Sequence, residues 1–269
     1  MTTTSSLAAR RVRHELRFRL LEVLRVEQPN PHLRRITLGG PALAGFVSAG
    51  FDDHVKLFFP NPGEAEPLLP TPGPNGPVYP EGNRPAARDY TPRRFSDDAL
   101  EIDFVLHGEG PAATWAAQAA PGQRIGVGGP RGSFIPPEGL GWYLLVGDET
   151  ALAAMARRLA ELPAGIRAIV LAEVADASAE QPLPSAAEVS VTWLHRDGAA
   201  PGQPETLVAA LAGLQLPEGE GYAWVAAESA VARALRTVLL ERHGLDKAAV
   251  KAAGYWKHGA AASHETLDG

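Results

Sequence analysis

The chain has no cysteine among its 269 residues. That absence excludes disulfides, thiolate nucleophiles, zinc fingers and protein-ligated iron–sulfur clusters, so redox chemistry would have to come from a bound cofactor. Also missing is any run approaching the roughly 20 apolar residues of a membrane-spanning helix, and the opening "MTTTSSLAARRVRHELRFRL" lacks the apolar core of a secretory signal. A cytoplasmic protein with no membrane span is the expectation. Positive charge is in deficit, with a net charge of -6 and a pI near 5.8, which argues against nucleic acid as a partner. "RRVRHELRFR" then reads as a basic arm or strand rim. The histidines form no close metal-type pair, so His54, His195, His243 and His264 read as surface or structural groups and no metal site is expected. Ser5 and Ser6 have no triad context, and nothing resembles a nucleophile elbow.

What is present is ordinary globular material: 45% hydrophobic and 21% charged residues, in a chain long enough for two domains. The first half reads as short extended segments broken by glycine and proline: Phe18 to Val26, Leu33 to Leu38, Val55 to Phe59, Arg88 to Arg93, Glu101 to His107 and Arg124 to Val127. That spacing predicts an antiparallel barrel or sandwich. A proline-rich segment, Pro60 to Pro85, is long for a compact domain without regular structure. From Trp142 the pattern changes to strands alternating with helices, which predicts a parallel sheet with helices on its faces and a binding crevice at its carboxyl edge. Residues 1–139 are expected to form an N-terminal antiparallel β-barrel. Residues 140–269 are expected to form a Rossmann-like α/β domain, with Trp115 and Trp142 in cores.

"RDYTPRRF", Arg88 to Phe95, follows the proline-rich segment. Alternation puts Arg88 and Tyr90 on one face, while Thr91, held extended by Pro92, faces the other way. A guanidinium, a flat ring and a small hydroxyl in this arrangement suit a flavin dinucleotide: the cation for its diphosphate, the ring against the isoalloxazine. A solvated strand with charged outward positions is the competing account. "HGEGPAATW" offers first-turn amides to phosphate, or is an ordinary helix start. "GVGGPRGSF" has glycines around Arg131 that allow a planar ligand close, or are common strand turns. "VGDETALAAM" places a turn where nucleotides bind, yet it lacks G-x-G-x-x-G, and Asp148 and Glu149 repel phosphate.

"RDYT", "DFVLHGEGPAATWA", "GPRGSF", "LLVGDETALAAMARRLAELP", "EQPLP", "WLHR", "WVAAES" and "GYWKHG", in this order, resemble the siderophore-interacting protein family of FAD-dependent ferric-siderophore reductases, relatives of ferredoxin–NADP reductases. The resemblance implies that Arg88, Asp89, Tyr90 and Thr91 hold the FAD. It places His107 and the Gly110, Pro111, Ala112, Ala113, Thr114 turn against the ribityl and diphosphate portions, with Gly132 and Ser133 alongside. It further implies that Asp148, Glu149, Thr150 and Ala151 line the nicotinamide side, with Glu228 and Ser229 at the next strand end and Tyr255 and Trp256 in a tail near the flavin. Lys56, Arg131 and Lys257 fall in segments that would converge there and are expected to bind an anionic ferric siderophore. The implied activity is transfer of electrons from NADPH or NADH through FAD to the ferric siderophore, releasing iron(II), with no protein acid or base required. Arg157, Arg158 and Arg196 favour NADPH through its 2′-phosphate. A general flavin or quinone reductase and a non-catalytic siderophore-binding or electron-transfer flavoprotein stay open as alternatives. A monomer is expected, with a ferredoxin-like protein left open as electron donor.

Overall fold

A computed structural model of the chain describes residues 9–74, 76–80, 84–106, 110–260 and 265–267. His107 and His264, both named above, lie outside them. Two compact units divide the chain, residues 11–134 in one and residues 1–10 with 135–269 in the other.

The first unit is built on strands β2 (Phe18–Asn30), β3 (Leu33–Gly39), β4 (Val55–Phe58), β7 (Ala87–Tyr90), β8 (Arg94–Phe95), β9 (Ala99–Val105) and β10 (Arg124–Gly128). They form one sheet in the order β7-β4-β10-β2-β3-β9-β8, antiparallel throughout. Alternate apolar side chains such as Leu21, Val23, Ile36, Leu38, Leu57 and Ile102 line one face and form the core. The edge strands β7 and β8 are separated by only Thr91, Pro92 and Arg93. Laid flat, seven strands would hold those edges about 29 Å apart at ~4.8 Å per gap. Four Cα steps reach at most about 14 Å. The sheet therefore curls into an open barrel, and the ring of Tyr90 on β7 meets Phe104 on β9 across the seam, centroids 4.5 Å apart. Helix α1 (Pro111–Ala117) follows β9 and packs Trp115 into the same core. Short strands β1 (Arg10–Arg13) and β11 (Gly132–Ile135) pair separately. Within the proline-rich segment the described residues include a small hairpin, β5 (Thr71–Gly73) with β6 (Gly76–Val78), where no regular structure was expected.

The second unit holds β12 (Trp142–Asp148), β13 (Arg167–Val174), β14 (Glu188–His195), β15 (Gly221–Glu228), β16 (Val250–Trp256) and β17 (Glu265–Thr266). Their order is β14-β13-β12-β15-β16-β17, parallel except for β17. Every residue of β12 and β15 is buried, as expected of central strands covered on both faces. Helices α2 (Leu152–Glu161), α3 (Glu205–Gly213) and α4 (Ser229–Thr237) connect the strands. The chain builds outward from β12 in one direction to β14 and in the other from β15 to β16. The strand order therefore reverses between β12 and β15, the switch point where open α/β sheets bind ligands. Gly147 is required there: a side chain on it would overlap the Ala226 carbonyl of the neighbouring strand.

Candidate functional site

In the barrel unit, Arg88 lies opposite Leu57 and Tyr90 opposite Val55. Leu57 and Val55 are core residues, so Arg88 and Tyr90 share the concave face, as the alternation predicts. Burial pushes the Tyr90 phenol well above its ordinary pKa, with the Arg88 charge opposing. The Arg88 guanidinium donates to the Ala87 carbonyl at 2.8 Å, and Thr91 is buried. The strand expected to run to Arg93 ends at Tyr90, since Pro92 has no N–H to continue the ladder. Of the other arginines in "RDYTPRRF", Arg94 is exposed and Arg93 is tied to Asp103 (3.2 Å) and Glu101 (3.5 Å). Asp89 points the other way and pairs with Lys56 at 2.6 Å. A residue expected at the cofactor and one expected at the substrate thus neutralise each other.

Phe104 lies 5.7 Å from Trp115, which links the Tyr90 ring to α1. In that helix Thr114 N–H donates to Gly110 O at 2.9 Å. Pro111 occupies the first position, and the amides of Ala112 and Ala113 fall in the first turn, where no intrahelical acceptor exists.

The glycines of "GVGGPRGSF" admit the protein's own groups. A side chain on Gly126 would overlap Leu69 and Phe58, one on Gly128 would meet Phe18 and Phe58 at 2.9 and 3.0 Å, and one on Gly132 would meet the Val12 carbonyl at 2.6 Å. The space expected for a planar ligand is filled from within. The Ser133 hydroxyl is likewise committed. It donates to Asp53 Oδ2 at 2.6 Å and accepts from Ala49 N at 3.0 Å and from His14 Nε2 at 2.7 Å. Its one hydrogen goes to Asp53, so His14 Nε2 must carry the hydrogen it shares with Ser133. Asp53 Oδ2 also accepts from Ser48 Oγ (2.8 Å) and Gly50 N (3.0 Å), which fastens the 48–53 loop to β11. Arg131 is exposed and lies three residues past Gly128, itself opposite Lys56.

In the α/β unit the named residues meet at the switch point. The buried Asp148 carboxylate takes Thr150 N (2.9 Å) and Thr150 Oγ1 (2.5 Å) on one oxygen, and Trp256 Nε1 (2.8 Å) and Glu228 N (3.2 Å) on the other. Burial, followed by the Glu149 charge, pushes its pKa up against these hydrogen bonds. Glu228 caps α4 through Ala230 N (2.5 Å) and Val231 N (3.2 Å), and accepts His258 N at 3.3 Å. Ser229 Oγ donates to the Trp256 carbonyl at 3.2 Å. Ala151 is fully buried, Tyr255 packs on Trp224 at 6.0 Å, and Lys257 is exposed.

The three arginines expected near a 2′-phosphate are engaged within the protein. Arg196 lies between Glu149, which it grips with both nitrogens, and Glu173 (3.5 Å). Arg157 pairs with Glu161 at 2.8 Å, and Arg158 lies 4.3 Å over the Tyr143 ring. Glu173, which the sequence reading missed, interrupts the apolar run Ala168 to Val174 of β13, and that break in the pattern was its signal. Burial raises its pKa to about 7 against the pull of Arg196.

The barrel-unit donor set fits FAD: a guanidinium without a carboxylate partner among the described residues, first-turn amides, and a flat ring beside an unpaired sheet edge. Residues 22–134 match the family model of the siderophore-interacting FAD-binding domain. Residues 140–259 match that of the siderophore-interacting protein. The NADPH-dependent ferric-chelate reductase of Escherichia coli K12 is 41% identical over 91% of this chain and 95% of that protein. The ferric vibriobactin reductase ViuB of Vibrio cholerae is 32% identical over 90% of each. A crystal structure of a siderophore utilization protein from T. fusca superposes with a TM-score of 0.89 at 41% identity, covering 95% of this chain and 98% of that one. A cysteine-free curled barrel with a flavin-suited strand, continued by a parallel α/β unit and matched along nearly its whole length, belongs to the siderophore-interacting protein family.

Proposed function

We propose that this protein is an NAD(P)H-dependent, FAD-containing ferric-siderophore reductase that works in the cytoplasm and frees iron as iron(II). The observation that carries the reading is the 41% identity to the E. coli ferric-chelate reductase, which extends across both units. FAD, when bound, accepts a hydride from the reduced nicotinamide and returns single electrons to iron(III), whose hard oxygen ligands hold iron(II) less tightly.

The chain's own residues bind and orient. Arg88 supplies a cation for the diphosphate, and the Ala112 and Ala113 amides supply neutral donors. Tyr90 gives a flat face fixed by its contact with Phe104, and Thr91, locked by Pro92, presents a small hydroxyl. At the carboxyl edge of the parallel sheet, the Asp148 clasp to Thr150, Glu228 and Trp256 holds the ends of β12, β15 and β16 together, so the nicotinamide crevice keeps its shape. No side chain is asked to move a proton. Arg131 and Lys257 offer exposed positive charge to an anionic siderophore, and Lys56 offers a charge largely balanced by Asp89.

The test is anaerobic incubation of the purified protein with NADPH or NADH and a defined ferric siderophore, with iron(II) trapped by a chromogenic chelator and released flavin identified by chromatography. FAD and chelated iron(II) are expected. FAD with rapid quinone reduction but no iron(II) would replace this reading with a general reductase. A colourless protein that takes up no added FAD would remove it.

A further inference from the structure

Strand β3, "LRRITLG", carries two consecutive arginines that alternation sends to opposite faces. Arg35 lies opposite Asp103 and makes a bidentate pair with it, at 2.7 and 2.9 Å. Arg34 lies opposite Phe104 on the concave face. Its Nε is buried with no hydrogen-bond partner, and no carboxylate pairs with its guanidinium among the described residues. The other inward arginine of the neighbouring strand, Arg19, is served by the Gly129 carbonyl (3.2 Å) and the Phe46 ring (5.4 Å). A half-buried cation left without a partner is costly, and that cost is relieved when an anion meets it.

The position of Arg34 says which anion. The next rung, Leu33 opposite Val105, is the last of the ladder before the chain leaves for α1. That helix packs on β3 and β9. Phe104, the cross-strand partner of Arg34, touches both Tyr90 and Trp115. Arg34 therefore approaches the Tyr90–Phe104–Trp115 cluster from β3, while Arg88 approaches it from β7 across the seam.

We infer that Arg34 is a second cationic anchor for the diphosphate of the bound flavin dinucleotide, so that two arginines match its two negative charges. This rests on the flavoprotein reading above. Tyr90 and Arg88 account for recognition of a ring and one charge. Arg34 adds selectivity for a dinucleotide over unphosphorylated flavin.

The experiment titrates flavin-stripped full-length protein with FAD and, separately, with riboflavin, following flavin fluorescence, for wild type, Arg34→Met and Arg34→Lys. Methionine keeps the apolar stem and removes the charge. In Arg34→Met the Kd for FAD should rise by about tenfold or more, because a charge-assisted contact is lost. Riboflavin affinity should stay at the wild-type value. Arg34→Lys should restore part of the FAD affinity, and the inhibition constant of ADP should rise in Arg34→Met alongside the Kd for FAD, since both carry the diphosphate. FAD affinity within about twofold of wild type, or equal losses for FAD and riboflavin, would overturn the assignment. Should the methionine variant fail to fold, the ratio of FAD to riboflavin affinity in Arg34→Lys decides, since an unchanged ratio there also rejects it. Wild-type protein that ignores FAD would instead sink the flavoprotein reading itself, a distinct result.

Discussion

At the scale of single residues, Tyr90 carries the most direct test of the flavin site. Its ring contact with Phe104 holds it at an edge strand, and a stacked aromatic partner is worth ~1 kcal/mol beyond buried area. Tyr90→Ala should lower the flavin retained after gel filtration several-fold, read from the ratio of visible to ultraviolet absorbance; full occupancy would show that another residue stacks. Glu173 gives a pH test. Its folded pKa of about 7 lies above the ordinary glutamate value of 4.5, so the folded state holds a proton that the unfolded chain has lost between those pH values. Its contribution to stability is fully present below about pH 4.5 and is lost as pH rises through 7. Glu173→Gln should therefore gain stability relative to wild type as pH rises from 5 to 8, seen as a widening difference in Tm. A constant difference across that range would show that Glu173 stays charged. Some of this was legible in advance: the shared face of Arg88 and Tyr90 follows from period-two geometry. The partners of Arg93, Lys56 and Arg196 were not, because each comes from a distant segment whose placement no local pattern sets.

At the scale of elements, the 48–53 loop is fastened to β11 by polar groups. Asp53 receives Ser48, Gly50 and Ser133 on one oxygen, so Asp53→Ala would remove a shared acceptor from three buried donors. The expected cost is roughly 3 kcal/mol or more. At about 2–4 °C per kcal/mol for a chain of this size class, thermal unfolding should show a drop in Tm of many degrees. Ser133→Ala should cost less, since the carboxylate keeps Ser48 and Gly50. A neutral Asp53→Ala would mean that water replaces it. The strands and helices themselves were largely readable, since alternation marks β4 and β9 and long apolar runs mark β12 and β15. The hairpin β5–β6 was hidden by its prolines, which pair at Pro72 and Pro77 without donating to the ladder. The glycines around Arg131 misled for a physical reason: room next to a backbone looks the same in sequence whether a ligand or the protein's own phenylalanines fill it.

At the scale of the whole molecule, a net charge of -6 makes capture of an anionic siderophore depend on local positive charge. Arg131→Ala should raise KM for such a substrate more than Lys56→Ala does, because Asp89 already offsets Lys56; neither should change flavin reduction by NAD(P)H. The wild-type kcat/KM should fall with added salt as exposed charges are screened over ~8 Å at physiological ionic strength. Equal KM values and no salt dependence would dismiss the positive charges as solvated. The two-part architecture was legible from the change of rhythm at Trp142, but the Asp148 clasp was not, since its members lie as far apart in sequence as Asp148 and Trp256. The curled sheet has one further effect. Its opposite borders are joined through Thr91, Pro92 and Arg93, and three of the residues proposed to grip FAD, Arg88, Tyr90 and Thr91, sit on or beside that same crossing. Gripping FAD and holding the sheet shut would then be one event, so cofactor occupancy should register as backbone protection. In hydrogen–deuterium exchange the amides of β7 and β8 should open first in flavin-free protein and slow most when FAD is added, while those of β2, at the middle of the sheet, exchange alike in both.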